Sequence, residues 1–74
     1  MNQVACGVYR HFKGAYVQVL CVAKDTETGM PYVVYKHLET NEFWSRPLDM
    51  FTSKVDKEKY PEAKQDYRFE FISF

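Results

Sequence analysis

The densest group of side chains that could bind a ligand lies at residues 9–14, which read Tyr-Arg-His-Phe-Lys-Gly. The guanidinium of Arg10 offers a planar fork to a phosphate or carboxylate, and the His11 imidazole adds one hydrogen-bond donor. Lys13 precedes a glycine, where backbone amides can come close to an anion. The segment therefore predicts a small anion site. The alternative is a set of ordinary surface charges around a hydrogen-bonded histidine.

A second group lies at residues 43–47, which read Phe-Trp-Ser-Arg-Pro. Trp44 and Arg46 are two residues apart, so they share one face of a strand. A flat ring beside a fixed guanidinium can hold a base and its phosphate, or a peptide side chain and its carboxylate. The alternatives are that Trp44 packs in the core and that Arg46 forms an ion pair with Asp49 or another carboxylate.

The sequence has neither the G-x-S-x-G nor the P-loop, H-E-x-x-H or G-x-G-x-x-G motif of the large enzyme classes. Its soft metal ligands are Cys6, His11, Cys21 and His37, and their spacing does not match C-x-x-C or H-x-x-x-H. Two cysteines are fewer than small secreted domains usually carry, so we expect free thiols, with Cys21 in the core. We predict no catalytic residue, no metal and no cofactor.

The composition limits the chain to one small domain, residues 1–74, with 46% hydrophobic and 18% aromatic residues. Ten basic and ten acidic side chains give no net charge. The chain therefore lacks the overall attraction that drives non-specific nucleic-acid binding, and any anion site must be local. The sequence shows neither a basic start followed by an apolar run nor eighteen consecutive apolar residues. We expect a cytoplasmic protein without membrane contact.

Five short stretches rich in valine, isoleucine and aromatic residues predict strands. They are residues 9–12, 15–23, 31–38, 42–46 and 67–74. Gly29 closes a hairpin between the second and third strands, and residues 39–41 make the next tight connection. Pro47 is suited to a first helical position, which predicts one short helix or helical turn near residues 47–54.

These elements favour a mainly β fold, a small five-stranded antiparallel sheet in an SH3-like, partly open barrel. The expected core comprises about residues 8–55 and 67–74, and the charged residues 56–66 form an exposed loop. An oligonucleotide-binding-type barrel ranks second, because it needs longer strands and a helix between strands three and four.

Several blocks in fixed order resemble a family of small bacterial domains, the domain-of-unknown-function family 1653. The resemblance covers about residues 8–72, and its blocks are residues 9–14, 26–28, 33–35, 44–51 and 68–69. Asp49 stands where that family commonly has Glu, residues 40–41 replace a Tyr-Gly-rich turn, and the loop at residues 57–66 is longer. The resemblance implies a compact β-rich domain and brings no particular activity with it.

Three functional hypotheses remain from the sequence. The leading one is a non-catalytic binding module for a phosphate-bearing ligand, either a nucleotide or a nucleic-acid segment. Its expected ligand-binding residues are Arg10, His11, Lys13, Trp44 and Arg46. The alternative is an SH3-like module that binds a protein or peptide in an aromatic groove of Tyr9, Tyr35, Trp44 and Tyr60. A nucleotide hydrolase is third, because the sequence offers no carboxylate pair, metal set or nucleophile elbow.

Overall fold

The computed structural model describes residues 4–74, so residues 1–3 of the predicted domain lie outside the described part. Its elements in chain order are β1 (Gly7–His11), β2 (Tyr16–Lys24), β3 (Pro31–His37), β4 (Phe43–Pro47), α1 (Leu48–Phe51) and β5 (Phe69–Ser73). All strand pairs are antiparallel, and the strand order is β4-β3-β2-β1-β5. The predicted class, mainly β with five antiparallel strands and one short helix, is confirmed. No helix within the described residues is long and apolar enough to cross a membrane.

Tight turns connect β2 to β3 and β3 to β4, as the sequence predicts. In the first turn, the hydroxyl and the backbone N–H of Thr28 both donate to Oδ2 of Asp25, at 2.7 and 3.2 Å. Gly29 follows with a φ of 72°, in the left-handed region that glycine enters without strain. In the second turn, Asn41 has a φ of 61°, which asparagine tolerates better than most residues. The two turns make β2, β3 and β4 an antiparallel meander.

The core lies on the inner face of the sheet, under α1. Its buried side chains are Tyr9, Val17, Val19, Val33, Tyr35, Phe51 and Phe69. Phe51 comes from α1 and stacks on Phe69 of β5, with ring centroids 4.0 Å apart and planes 7° from parallel. The short helix therefore contributes the ring that fills the centre of the core.

The sheet curls strongly but is not closed into a barrel. Neighbouring strands lie about 4.8 Å apart, so β4 and β5 would be about 19 Å apart in a flat sheet of this order. The guanidinium carbon of Arg46 on β4 nevertheless lies 5.8 Å from the ring centroid of Phe69 on β5. The curl therefore brings side chains of the two edge strands together on the inner face.

The prediction that Cys21 lies in the core is wrong. Val17 and Val19 are buried, and strict alternation along β2 would have placed Cys21 beside them. A register shift between Val19 and Cys21 interrupts that alternation, and Cys21 pairs with Val34 rather than with the buried Val33. Cys21 is consequently exposed on the outer face, as a free thiol.

The interpretation of Trp44 as a core residue is also wrong, since 51% of its surface is exposed. Trp44 lies on the edge strand β4, and its ring packs edge-on against His37 with centroids 5.9 Å apart. The helix that follows β4 covers the inner face at Tyr35 instead, where Phe51 approaches to 5.7 Å. Trp44 is left at the margin of the core, with about half of the residue exposed to solvent.

The segment between α1 and β5 is held at both ends by backbone hydrogen bonds. The N–H of Val55 donates to the carbonyl of Asp66 at 2.8 Å, and the N–H of Arg68 donates to the carbonyl of Ser53 at 2.9 Å. Between these anchors, residues 56–66 are mostly exposed. Gln65 of this loop donates through Nε2 to the carbonyl of Arg10 at 3.1 Å, so the charged loop lies beside the end of β1.

Candidate functional site: a cationic cavity

A cavity of about 350 Å³ opens where the end of β1 meets β4 and the charged loop. Its lining residues are His11, Phe12, Lys13, Arg46, Val55, Asp56, Lys59, Tyr60 and Arg68. Four of these side chains are cationic and one is a carboxylate, in a chain whose net charge is zero. We call this the cationic cavity. Such a local excess of positive charge is the electrostatic requirement for holding an anion.

Arg46 has a buried nitrogen without a partner. Its Nε is inaccessible to solvent and makes no hydrogen bond within the described residues. The predicted alternative, an ion pair of Arg46 with Asp49 or another carboxylate, is absent from the part of the chain that the structure describes, where the one ion pair joins Lys57 and Asp66. Buried polar groups nearly always have a hydrogen-bond partner. Arg46 is therefore held beside the cavity by packing on Phe69, with a donor still to satisfy.

His11 is held as a neutral donor. Its Nδ1 accepts the backbone N–H of Lys13 at 3.1 Å, so the ring proton sits on Nε2. Burial, together with the positive charges of Arg46, Arg68, Lys13 and His37, lowers the pKa of His11 to about 4. At neutral pH the imidazole therefore carries no charge and offers an N–H group beside the cations.

Arg68 and Lys59 are the cavity residues that the sequence interpretation missed. Nε of Arg68 donates to Oγ of Ser53 at 3.2 Å, which fixes one edge of its guanidinium. Lys59 reaches the cavity because the charged loop folds back, with its Nζ 5.6 Å from the ring centroid of Tyr60. Residues 68–69, Arg-Phe, are the last block of the family resemblance and could have pointed to Arg68, whereas no local pattern marks Lys59.

The structure brings together three of the five predicted ligand-binding residues, since His11, Lys13 and Arg46 all line the cationic cavity. Arg10 precedes His11 on the opposite face of β1 and lines a different, neighbouring cavity. Trp44 is not among the lining residues of either cavity. The three predicted residues that lie together are thus on the His11 side of β1, and Arg10 and Trp44 lie outside their cavity.

The three tyrosines proposed for a peptide groove do not share one surface. Tyr9 and Tyr35 are core residues, 8% and 3% exposed. The Tyr9 hydroxyl donates to the carbonyl of Ala5 at 2.8 Å, and burial raises the pKa of Tyr9. Tyr60 lies apart, on the charged loop against Phe12, with ring centroids 4.9 Å apart. An aromatic groove built from this set is therefore not present.

Metal-binding chemistry has little support in the structure. Residues 4–74 contain no cluster of three or more His, Cys, Asp or Glu side chains placed to hold a metal ion. Cys6 and Cys21 are free and exposed, and the Sγ of Cys6 donates to the carbonyl of Leu20 at 3.3 Å.

Acidification is expected to destabilise the fold through His11. Its pKa in the folded protein is about 4, below the ordinary value of 6.5, so the unfolded chain takes up the proton first as the pH falls. The stability contributed by the neutral ring is complete above about pH 6.5 and is lost between about pH 6.5 and pH 4. His11→Asn keeps an acceptor for the N–H of Lys13 but cannot be protonated.

Between about pH 7 and pH 4, both proteins should lose stability. We expect the loss in the free energy of unfolding to be about 1–2 kcal/mol smaller for His11→Asn than for the wild type, because the variant lacks the titrating ring. Urea unfolding at about pH 7 and at about pH 4 measures the difference. Equal losses in the two proteins would contradict the placement of His11 among the cations.

Comparison with known proteins gives the family. A family model described as "Protein of unknown function (DUF1653)" matches residues 7–71. The chain belongs to the DUF1653 family. The resemblance expected from the sequence blocks is confirmed. A crystal structure of a DUF1653 protein from Bordetella bronchiseptica is 30% identical, with a TM-score of 0.82 over 99% of this chain and 92% of that one. No curated protein matches the chain.

Proposed function

We propose that this DUF1653 protein is a non-catalytic binding module for a phosphate-bearing ligand, which it holds in the cationic cavity. The observation that carries the proposal is the buried Nε of Arg46, which has no partner among the described residues. A phosphate oxygen would accept from this nitrogen in a charge-assisted hydrogen bond after a rotation of the guanidinium opens the nitrogen to the cavity. Lys13, Lys59 and Arg68 line the same cavity and would share the remaining negative charge.

The low pKa of His11 supports a phosphate over a cation as the ligand. The neutral ring adds a donor to the cavity without adding to the repulsion among its four cations. A bound phosphate would offset those cations, so it would also raise the pKa of His11. The cavity is therefore suited to an anion that accepts several hydrogen bonds at once.

A binding role fits the cavity better than hydrolysis. The one carboxylate in its lining, Asp56, accepts backbone N–H groups from Glu58 at 3.0 Å and Lys59 at 3.4 Å through Oδ1. It is thereby used to cap a turn of the loop. His11, with a pKa of about 4, is a weak general base near neutral pH.

The two free, exposed cysteines favour a reducing compartment, in keeping with the cytoplasm.

Calorimetric titration with inorganic phosphate and pyrophosphate tests this function. We expect saturable binding that weakens as salt is raised, because the attraction is electrostatic. Lys13→Gln should weaken binding about three- to tenfold, since it removes one of four cations from the cavity. Lys24→Gln is the matched control, because Lys24 lies at the far end of β2. Absence of binding by the wild type, or equal weakening by the two variants, would refute the proposal.

A further inference from the structure

A second cavity of about 520 Å³ adjoins the cationic cavity. The two share Phe12, Lys13 and Tyr60 as lining residues, so these side chains form a ridge between them. The remaining lining residues of the second cavity are Arg10, Glu62, Ala63, Lys64, Gln65 and Glu70. Each cavity falls within the range of about 300–1,000 Å³ that small-molecule sites occupy. A ligand lying across the ridge would reach both.

The second cavity offers more side-chain acceptors than the first, whose one carboxylate, Asp56, accepts backbone N–H groups of its own loop. Gln65 donates through Nε2 to the carbonyls of Arg10 at 3.1 Å and Tyr67 at 2.9 Å, so its Oε1 is the atom that it can turn to a ligand. Glu62 and Glu70 add carboxylate acceptors. Ribose hydroxyls and an exocyclic amino group are the donors that such a set binds. Arg10, Lys13 and Lys64 line the same cavity, so its charge is mixed rather than strongly positive.

The ridge itself is aromatic and cationic. The rings of Phe12 and Tyr60 meet at 62°, and Nζ of Lys13 and of Lys59 lie 5.0 and 5.6 Å from the ring centroid of Tyr60. A phosphate is a stronger partner for an ammonium group than an aromatic ring is. When a phosphate enters the cationic cavity, the lysines would turn towards it and leave a face of Tyr60 for a base to stack on.

We propose, on the basis of the proposed function, that the ligand is a single nucleoside monophosphate. Its phosphate lies in the cationic cavity, its base stacks on Tyr60, and its sugar or base donors meet the acceptors of the second cavity. This placement uses the two adjoining cavities and the ridge between them.

Calorimetric titration with inorganic phosphate, ribose 5-phosphate and adenosine 5′-monophosphate tests this inference. We expect affinity to rise in that order. In Tyr60→Leu, the ratio of monophosphate affinity to phosphate affinity should fall about tenfold, because stacking is lost. Tyr60→Phe should keep the ratio, since the ring remains. Tyr32→Leu is the control and should also keep the ratio, because Tyr32 lies opposite Ala23 at the far end of β2 and lines neither cavity.

The outcomes separate the two proposals. If phosphate binds but the nucleotide binds no more tightly, the inference is overturned and the proposed function stands. If adenosine binds as tightly as its monophosphate, or a short oligonucleotide binds more tightly than the monophosphate, the inference is likewise overturned. If none of the phosphate compounds binds, the proposed function itself fails.

Discussion

Phe51→Ala is expected to lower the free energy of unfolding by about 3–5 kcal/mol, the usual cost of removing a buried aromatic ring. Phe51 is 2% exposed and stacks on Phe69 at 4.0 Å. Its ring also meets Tyr9 and Tyr35, with centroid distances of 5.5 and 5.7 Å. A domain of 74 residues typically has a total stability of about 4–11 kcal/mol, so the loss is a large part of it.

Urea unfolding followed by circular dichroism measures this loss. Met50→Ala is the matched control, because Met50 is the preceding residue of α1 and is 46% exposed. The control should cost less than about 1 kcal/mol. If Phe51→Ala lost no more stability than Met50→Ala, α1 would not cover the core as described.

Arg46→Lys is expected to separate binding from folding. Lysine keeps the positive charge but lacks the guanidinium fork and the Nε donor, so affinity for inorganic phosphate should fall by about 1–3 kcal/mol. Within the described residues Arg46 forms no ion pair, and its Nε makes no hydrogen bond. We therefore expect the free energy of unfolding to stay within about 0.5 kcal/mol of the wild type. Parallel calorimetric titration and urea unfolding measure both quantities.

Arg46→Gln should weaken phosphate binding further, because it also removes the charge. Lys36→Gln is its control, since Lys36 lies on β3 opposite Phe43, away from the cationic cavity. The control should bind phosphate like the wild type. An Arg46→Lys protein that is less stable but keeps its phosphate affinity would mean that Arg46 is a structural residue.

The strands and turns could be predicted because local patterns decide them. The predicted strand at residues 31–38 corresponds to Pro31–His37, and the helix expected near Pro47 begins at Leu48. Gly29 closes the predicted hairpin because its backbone must adopt a positive φ there. Each of these features depends on residues within a few positions of one another.

The errors arise where one residue's placement depends on distant parts of the chain. Cys21 faces outward because of a register shift against β3, which alternation along β2 alone does not reveal. Trp44 is half-exposed because β4 is an edge strand, a consequence of the strand order. Lys59 lines the cavity only because the charged loop folds back beside β1. None of these long-range pairings has a signature in a short stretch of sequence.

The candidate site could be predicted only in part, because some of its residues are neighbours in sequence and others meet only in the folded sheet. His11 and Lys13 are two residues apart, so one strand end presents both. Arg46 joins them because the sheet curls, which brings it to 5.8 Å from the ring of Phe69 at the opposite edge. The basic residue types were enough to predict an anion site, whereas the curvature of the sheet determines which of the basic side chains lie together.

The Arg46 Nε–H group itself provides the most direct test of a phosphate site in the cationic cavity. Its resonance can be followed in the proton–nitrogen spectrum of labelled protein and assigned by its loss in Arg46→Lys. We predict that added phosphate shifts this resonance saturably, as the nitrogen gains an acceptor, and that chloride at equal ionic strength does not. A resonance that stays in place with phosphate, or that moves equally with chloride, would contradict the proposed site.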